Sequence, residues 1–459
     1  MKLKRTVLLL LALSLCFSAV SCAPSLLPPT EDRIFTEEEE KETVAPLPET
    51  GPIVIPEGFS AGFAREALNP EPGTPLGGYS NAENRKSHII RDDIMLTCVA
   101  VSDGENTLLL YSGDYLNFSV SIWNQVTRMI ERSFGIPAAN VLLNATHTHA
   151  SPAIYYGSSL VGIARYLQEF YPLTVRLAEN ALRDLENAEL YTGSTRTQGL
   201  NYVRRYLYMD GSYAGGSNLS FGQDPKLMRH ETDPDETMQI IKFDRKTKKD
   251  IVLANWQCHP TAGSTSTSTA VTADWVSTFR ETVEKKGDVL CSFHQGAAGT
   301  LVSYSKLSSN LVSERNCYKR GVEIGEVLLA ALPSLKASES GKIRAITKDF
   351  TATYNEAYRT KNNLTATTKA LNLSAMAIGD VAFVTAPFEM ADTNGVFVKE
   401  NSPYQMTFIC AYSNGSNGYI PALHSFPNGG YEVESCRFVP GTGEGIASLM
   451  VEMLKEIRR

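Results

Sequence analysis

Six apolar runs constrain this chain of 459 residues more than any other feature: "NTLLLYSGD", "NVLLNA", "IVLANWQCHP", "GDVLCSF", "GDVAFVTAP" and "MTFICAYSN". Each is unbroken rather than alternating, the pattern of a strand buried on both faces, so the sheets they build must be covered by other layers. The cover is visible in the same sequence. After "NTLLLYSGD", residues Ile122, Val126, Met129 and Ile130 recur at helical spacing until Gly135 stops them, and the next run comes directly after. Further helical patterns occupy about 274–285, 313–333, 389–400 and 442–457. The alternation predicts an α/β fold of β-sheets flanked by helices. From 61 to 459 there is no internal repeat and no second break in composition, so a single large domain is expected. A net charge of -7 offers no electrostatic footprint for nucleic acid, and none is expected as a partner.

The first sixty residues obey another logic. "MKLKRTVLLLLALSLCFSAVSC" has a cationic start, an apolar stretch and small residues before Cys22, the layout of a secretory signal over residues 1–22. Its Ala19-Val20-Ser21-Cys22 ending resembles a lipoprotein box, in which the cysteine becomes the lipidated first residue and acyl chains hold the protein on a bacterial membrane surface. Simple cleavage and secretion is the alternative. Residues 23–60 are punctuated by prolines and carry "EEEEKE" with no apolar period, so a disordered tether is expected. The six later cysteines show no CxxC spacing, and Cys98, Cys258, Cys291 and Cys410 lie inside apolar runs, which predicts buried thiols rather than a cysteine zinc site.

In α/β folds ligands collect beyond the strand ends, so the residues that end each run matter. "NVLLNA" ends in His147 and His149, one residue apart, which places both imidazoles on one side of an extended chain. "IVLANW" ends in His259-Pro260, and "DVAFVT" in Pro387-Phe388-Glu389. Three of only seven histidines thus stand at strand exits. Two histidines and a carboxylate form a common ligand set for catalytic Zn²⁺, with a position left for water. Each residue also has a plainer reading: a histidine bonded to backbone, or a carboxylate favoured at a helix N-terminus.

These blocks resemble the neutral or alkaline, non-lysosomal ceramidases. "NVLLNATHTHASP" is similar to that family's A-T-H-T-H-S-G-P, "NWQCHPT" with "TADWVSTFRETVE" to its H-P-T and S-A-D-(Y/W)-P-G-x-F blocks, "SFHQGAAGT" to F-x-Q-G-x-x-G-D, and "TAPFEM" to its P-G-E block. "SNGYIPALHSFPNGGYE" resembles the block that closes the active site, and order and spacing agree over about residues 60–450. The resemblance implies a catalytic domain of β-sheets flanked by helices, without the smaller immunoglobulin-like domain that usually comes after it. It implies that His147 and His259 are zinc ligands and Glu389 the carboxylate ligand, with His149 a polar or proton-handling group on the substrate side. Arg204 and Arg205, in "NYVRRYLYMDG", resemble the family's pocket arginine segment, with either one facing inward.

The departures matter as much. The family places a serine nucleophile in G-D-x-S-P after the glutamine-glycine turn, whereas Val302 holds that place here and Ser303 comes one residue late, on what would be the opposite face of a strand. By residue count the family's tyrosine ligand falls on Phe426 and a second pocket tyrosine on Phe438, with Tyr419 and Tyr431 nearby. The expectation is a zinc-dependent hydrolase of amide or ester bonds in a small-molecule or lipid-like substrate, working through metal-activated water. The alternatives are a surface lipoprotein that keeps the fold and only binds, and a true ceramidase with a displaced nucleophile.

Overall fold

The computed structural model describes residues 52–308 and 314–459. The signal expected at 1–22 and the tether as far as residue 51 lie outside the described residues. Residues 52–59 have no regular structure, but Ile53 packs against the core and the Phe59 ring sits 6.0 Å from that of Phe243. The last stretch of the expected tether therefore lies on the domain.

The larger sheet contains β1 (Ser60–Ala67), β2 (Met95–Ser102), β3 (Thr107–Gly113), β4 (Val141–Ala145), β5 (Glu186–Arg196), β6 (Thr237–Arg245), β7 (Ile251–Trp256) and β8 (Leu290–Gln295). Their order is β8-β7-β6-β5-β1-β2-β3-β4, with the short strand Lys336–Ala337 added beside β5. The outer pairs β7/β8 and β3/β4 are parallel; β1/β2, for example, is antiparallel. A smaller sheet holds β9 (Ile343–Thr353), β10 (Thr368–Ile378), β11 (Val381–Ala386) and β12 (Met406–Ala411) in that order.

The sheets face one another. Val99, Leu110, Phe243 and Leu253 of the first meet Met376, Phe383, Phe408 and Cys410 of the second in one buried cluster. Helices cover the outer faces: α1 (Val120–Phe134) packs beside α2 (Ile163–Arg183), which crosses β1 and β2, while α3 (Trp275–Gly287) and α4 (Glu314–Ala331) lie together on the β8 side. Trp275, Phe279 and Val283 of α3 bury their apolar stripe against Trp256 and Phe293. On the smaller sheet, α5 (Asp392–Asn401) and α6 (Thr442–Arg458) do the same. The result is four layers, helix, sheet, sheet, helix, the flanked-sheet architecture expected of the chain. The six described cysteines are all buried, and none is joined in a disulfide.

Two buried asparagines draw the strand ends together. Asn144 of β4 accepts from the Gln295 amide of β8 at 2.8 Å and donates to the Ala411 carbonyl of β12 at 2.5 Å. Asn255 of β7 accepts from the Ile409 amide at 3.1 Å and donates to the Ile409 carbonyl at 2.9 Å. Such a side chain, fully satisfied in the interior, fixes register as an apolar residue could not. The larger sheet is thus curled until its end strands nearly meet, with the smaller sheet clipped against that seam.

Candidate functional site

The segments just past the C-terminal ends of β4, β7 and β11 assemble the site. Past β4 the chain turns through His147, a non-glycine residue at φ 71°, whose amide donates to the Tyr115 carbonyl at 2.9 Å. A left-handed conformation at a bulky residue is costly and persists only where the surroundings enforce it. The His147 ring is stacked on Tyr412 at 3.9 Å, and its Nδ1 lies 2.7 Å from the Leu116 carbonyl. A carbonyl can only accept, so Nδ1 carries the proton and Nε2 is left bare. His259 repeats the device, with Nδ1 donating to the Ala298 carbonyl at 2.7 Å.

The two bare nitrogens face each other at 3.2 Å. Glu389 completes the triangle, with Oε2 at 3.2 Å from His147 Nε2 and 3.2 Å from His259 Nε2. Burial pushes the His259 imidazole down to about 4, so it is neutral near pH 7. Burial alone would raise the Glu389 carboxyl; its contacts with His147 and His259 outweigh that and hold it well below the usual carboxylate range. Three electron-pair donors therefore converge in a buried place, with the Nε2 atoms of His147 and His259 turned to Glu389 so that a proton or a cation can be shared among them. The donor set fits a divalent cation, and such a ligand histidine is ordinarily oriented by a bond from its other nitrogen, as both are here.

His149 lies beside this triangle. Its Nε2 is 3.4 Å from His147 Nε2, and its Nδ1 is buried without a hydrogen-bond partner. Burial, with His147 and His259 adding to it, drives its imidazole well below the ordinary histidine range. The ligand atoms of His147, His149 and His259 all lie within 4.8 Å of one another, a group that could hold a metal ion. His149 differs from the other two because nothing fixes its tautomer. A segment that no sequence reading singled out braces it: Arg85 donates to the His149 carbonyl, and the Tyr79 and His149 rings meet edge-on at 5.3 Å. Gly78, at φ 112°, lies so close that a Cβ there would come within 2.5 Å of His149 Cβ. The glycine pair in "GGYSN" was the available signal.

Of the two arginines, the structure turns Arg204 to the site. Its guanidinium donates to Glu432 at 2.8 Å, the Gly299 carbonyl at 2.8 Å and the Tyr419 hydroxyl at 3.0 Å. Its charge also reaches the site, helping to depress both His259 and His149. Arg205 is instead locked between Glu231 at 2.6 Å and Glu432 at 3.0 Å, with no contact to the histidines. Its expected place in the pocket is not where it lies.

The tyrosines also differ from the count along the chain. Phe438 is fully buried against Tyr354, 5.3 Å between ring centroids, and Phe426 packs at the rim of the core. Of the tyrosines in this closing block, the ones that reach the site are Tyr419 and Tyr431. Tyr419 stands in register opposite Glu389, which lies in a short extended segment just before α5 rather than inside the helix expected over 389–400. The rings of Tyr419 and Tyr431 meet edge-on at 5.3 Å. Residue counting fails here because strand register, not chain separation, decides what faces Glu389.

After the glycine turn, Gly299 packs its backbone on Glu389, where a Cβ would lie 2.9 Å from the Glu389 carbonyl oxygen. Val302 is buried in a short strand and bridges to His259. Ser303 is buried without a hydrogen-bonded base. Ser305 has a chemical partner: its hydroxyl donates to His230 Nε2 at 2.9 Å, while His230 Nδ1 donates to the Val203 carbonyl at 2.5 Å.

Among solved structures, the chain resembles a neutral ceramidase from Pseudomonas aeruginosa, with a TM-score of 0.70 at 17% identity over 88% of this chain and 75% of that one. A ceramidase complexed with C2 is similar at a TM-score of 0.71 and 16% identity, over 88% of this chain and 76% of that one. No protein-family model matches the sequence. No curated protein matches it either. The chain has the fold of these neutral ceramidase structures.

Proposed function

We propose that the protein is a metal-dependent hydrolase of amide or ester bonds, with His147, His259 and Glu389 holding one Zn²⁺. The observation that carries this reading is the convergence of three electron-pair donor atoms within 3.2 Å of one another in a buried place. Zinc in such a site supplies Lewis acidity toward a carbonyl and brings the pKa of water toward neutrality.

The chain's own residues do the rest. His149, neutral because it is buried and free at Nδ1, is placed to accept or return a proton on the substrate side. Tyr419 Oη accepts from Arg204, which leaves its own hydroxyl proton free for an oxyanion opposite Glu389. Val302 offers no nucleophile. A covalent route is the second reading, favoured by the Ser305–His230 hydrogen bond. We further propose that export and lipidation at Cys22 place this activity on a membrane surface, which the intact mass of membrane-extracted protein would test.

The functional test is hydrolysis of a panel of N-acyl and O-acyl compounds by chelator-treated protein, before and after zinc is restored. Turnover that is lost with the metal and returns with it is expected. Turnover unaffected by complete metal removal, or no turnover by the zinc-loaded protein, would overturn the reading.

A further inference from the structure

Tyr412 is the first residue past β12, and its main chain joins the two segments that bring His147 and Glu389 to the site from different sheets. Its carbonyl accepts from the Ala145 amide at 3.1 Å, two residues before His147. Its amide donates to the Phe388 carbonyl at 3.3 Å, one residue before Glu389. The next two residues repeat the link: the Ser413 amide donates to the Ala386 carbonyl at 3.2 Å, and the Asn414 amide to the Leu143 carbonyl at 3.1 Å. Residues 412–414 thus clasp the exits of β4 and β11. The zigzag takes left-handed backbone at Tyr412, φ 57°, and at Asn414, φ 59°. Asparagine visits that conformation readily, whereas a bulky aromatic residue holds it only against its local preference.

What the aromatic ring does there is visible in its contacts. It is 1% exposed, lies on the His147 imidazole at 3.9 Å with 27° between the planes, and meets the His259 ring edge-on at 6.3 Å. The two imidazoles are held unequally from behind. His259 Nδ1 has two carbonyls within reach, Ala298 at 2.7 Å and Leu301 at 3.1 Å, while His147 Nδ1 has the Leu116 carbonyl at 2.7 Å. A single hydrogen bond leaves an imidazole free to tilt, and a flat ring pressed on one face removes that freedom. The Tyr412 hydroxyl is buried without a hydrogen-bond partner among the described residues, so the ring alone makes this contact.

We propose that Tyr412 is a positioning residue of the metal centre: its ring holds His147 Nε2 toward His259 and Glu389, while its main chain sets the spacing between the sheets that carry them. The inference rests on the metal site proposed above and adds a residue that orients that site without being a ligand.

The test titrates Co²⁺ into metal-free wild type, Tyr412→Phe, Tyr412→Leu and Tyr412→Met in competition with a chromogenic chelator, and records the visible absorption of each Co²⁺ form. Leucine and methionine meet the same left-handed backbone as tyrosine, so the comparison isolates the ring. Tyr412→Phe should match the wild type in affinity and spectrum. The two ring-free variants should bind Co²⁺ about ten- to a hundredfold more weakly, the loss typical when a partner that orients a ligand is removed. Their spectra should move toward that of His147→Ala. Circular dichroism and thermal midpoint identify the folded variants, and the second ring-free variant serves if the first does not fold. A folded ring-free variant with wild-type affinity and spectrum would overturn the inference and leave the metal reading in place. Tyr412→Phe as weak as Tyr412→Leu would do the same. A wild type that takes up no Co²⁺ would overturn both.

Discussion

The Nε2 atoms of His147 and His259 lie 3.2 Å apart while both Nδ1 protons are already committed to main-chain carbonyls. Two lone pairs at that separation repel unless a cation lies between them. Zinc-loaded wild-type protein is therefore expected to carry close to one metal per chain by elemental analysis. His147→Ala and His259→Ala should each weaken binding by about a hundredfold or more, at least the loss seen when only a supporting partner of a ligand is removed. Full occupancy in both variants would sink the assignment.

The arginine pair should divide its effects. Arg204→Lys removes a planar donor set that reaches Tyr419 and the Gly299 carbonyl, and a loss of about a hundredfold in kcat is expected. Arg205→Lys disturbs an ion cluster with Glu231 and Glu432 away from the histidines. Its cost should fall mainly on stability, about 2–4 kcal/mol in urea unfolding, with kcat changed less than tenfold. The opposite division would place Arg205, not Arg204, at the chemistry.

Ser303→Ala and Ser305→Ala should keep activity within a few-fold, and no burst of first product should be seen in rapid kinetics. Glu389→Gln should lose about a thousandfold or more in the same assay. A Ser305→Ala protein that is folded and metallated yet inactive would instead make Ser305 the nucleophile and His230 its base.

Acid should destabilise the fold through His294, which is fully buried in β8 and pushed down to about 3 by burial. Its unfolded pKa is about 6.5, so the unfolded chain takes up this proton first as pH falls. Stability is then complete above about pH 6.5 and declines below it, by about 1.4 kcal/mol per pH unit for this group, until about pH 3. His294→Leu should remove one proton from the pH dependence of unfolding between pH 4.5 and 6.5. An unchanged slope would show that His294 does not titrate in that way.

Much of this is legible in the sequence alone. The unbroken runs announce β3, β4, β7, β8, β11 and β12 because those strands are buried on both faces, and His147, His259 and Glu389 stand just past three of them. β5 and β9 escape notice because they are only partly covered, with residues such as Glu189 and Lys348 breaking the apolar pattern. Arg85 and Tyr79 are illegible for another reason. They act on His149 from a loop whose place is set by contacts across 64 and more residues, and no local pattern records that. Tyr419 is in view, but only its register against Glu389 shows what it faces.

The larger sheet supplies His147 and His259, and the smaller sheet supplies Glu389. An ion bound by all three would act as a rivet through the joint between two sheets. Stripping it should leave both sheets intact but let the joint breathe, so amide exchange would quicken first around β4 and β11. In consequence neither sheet, expressed apart from the other, could retain the ion.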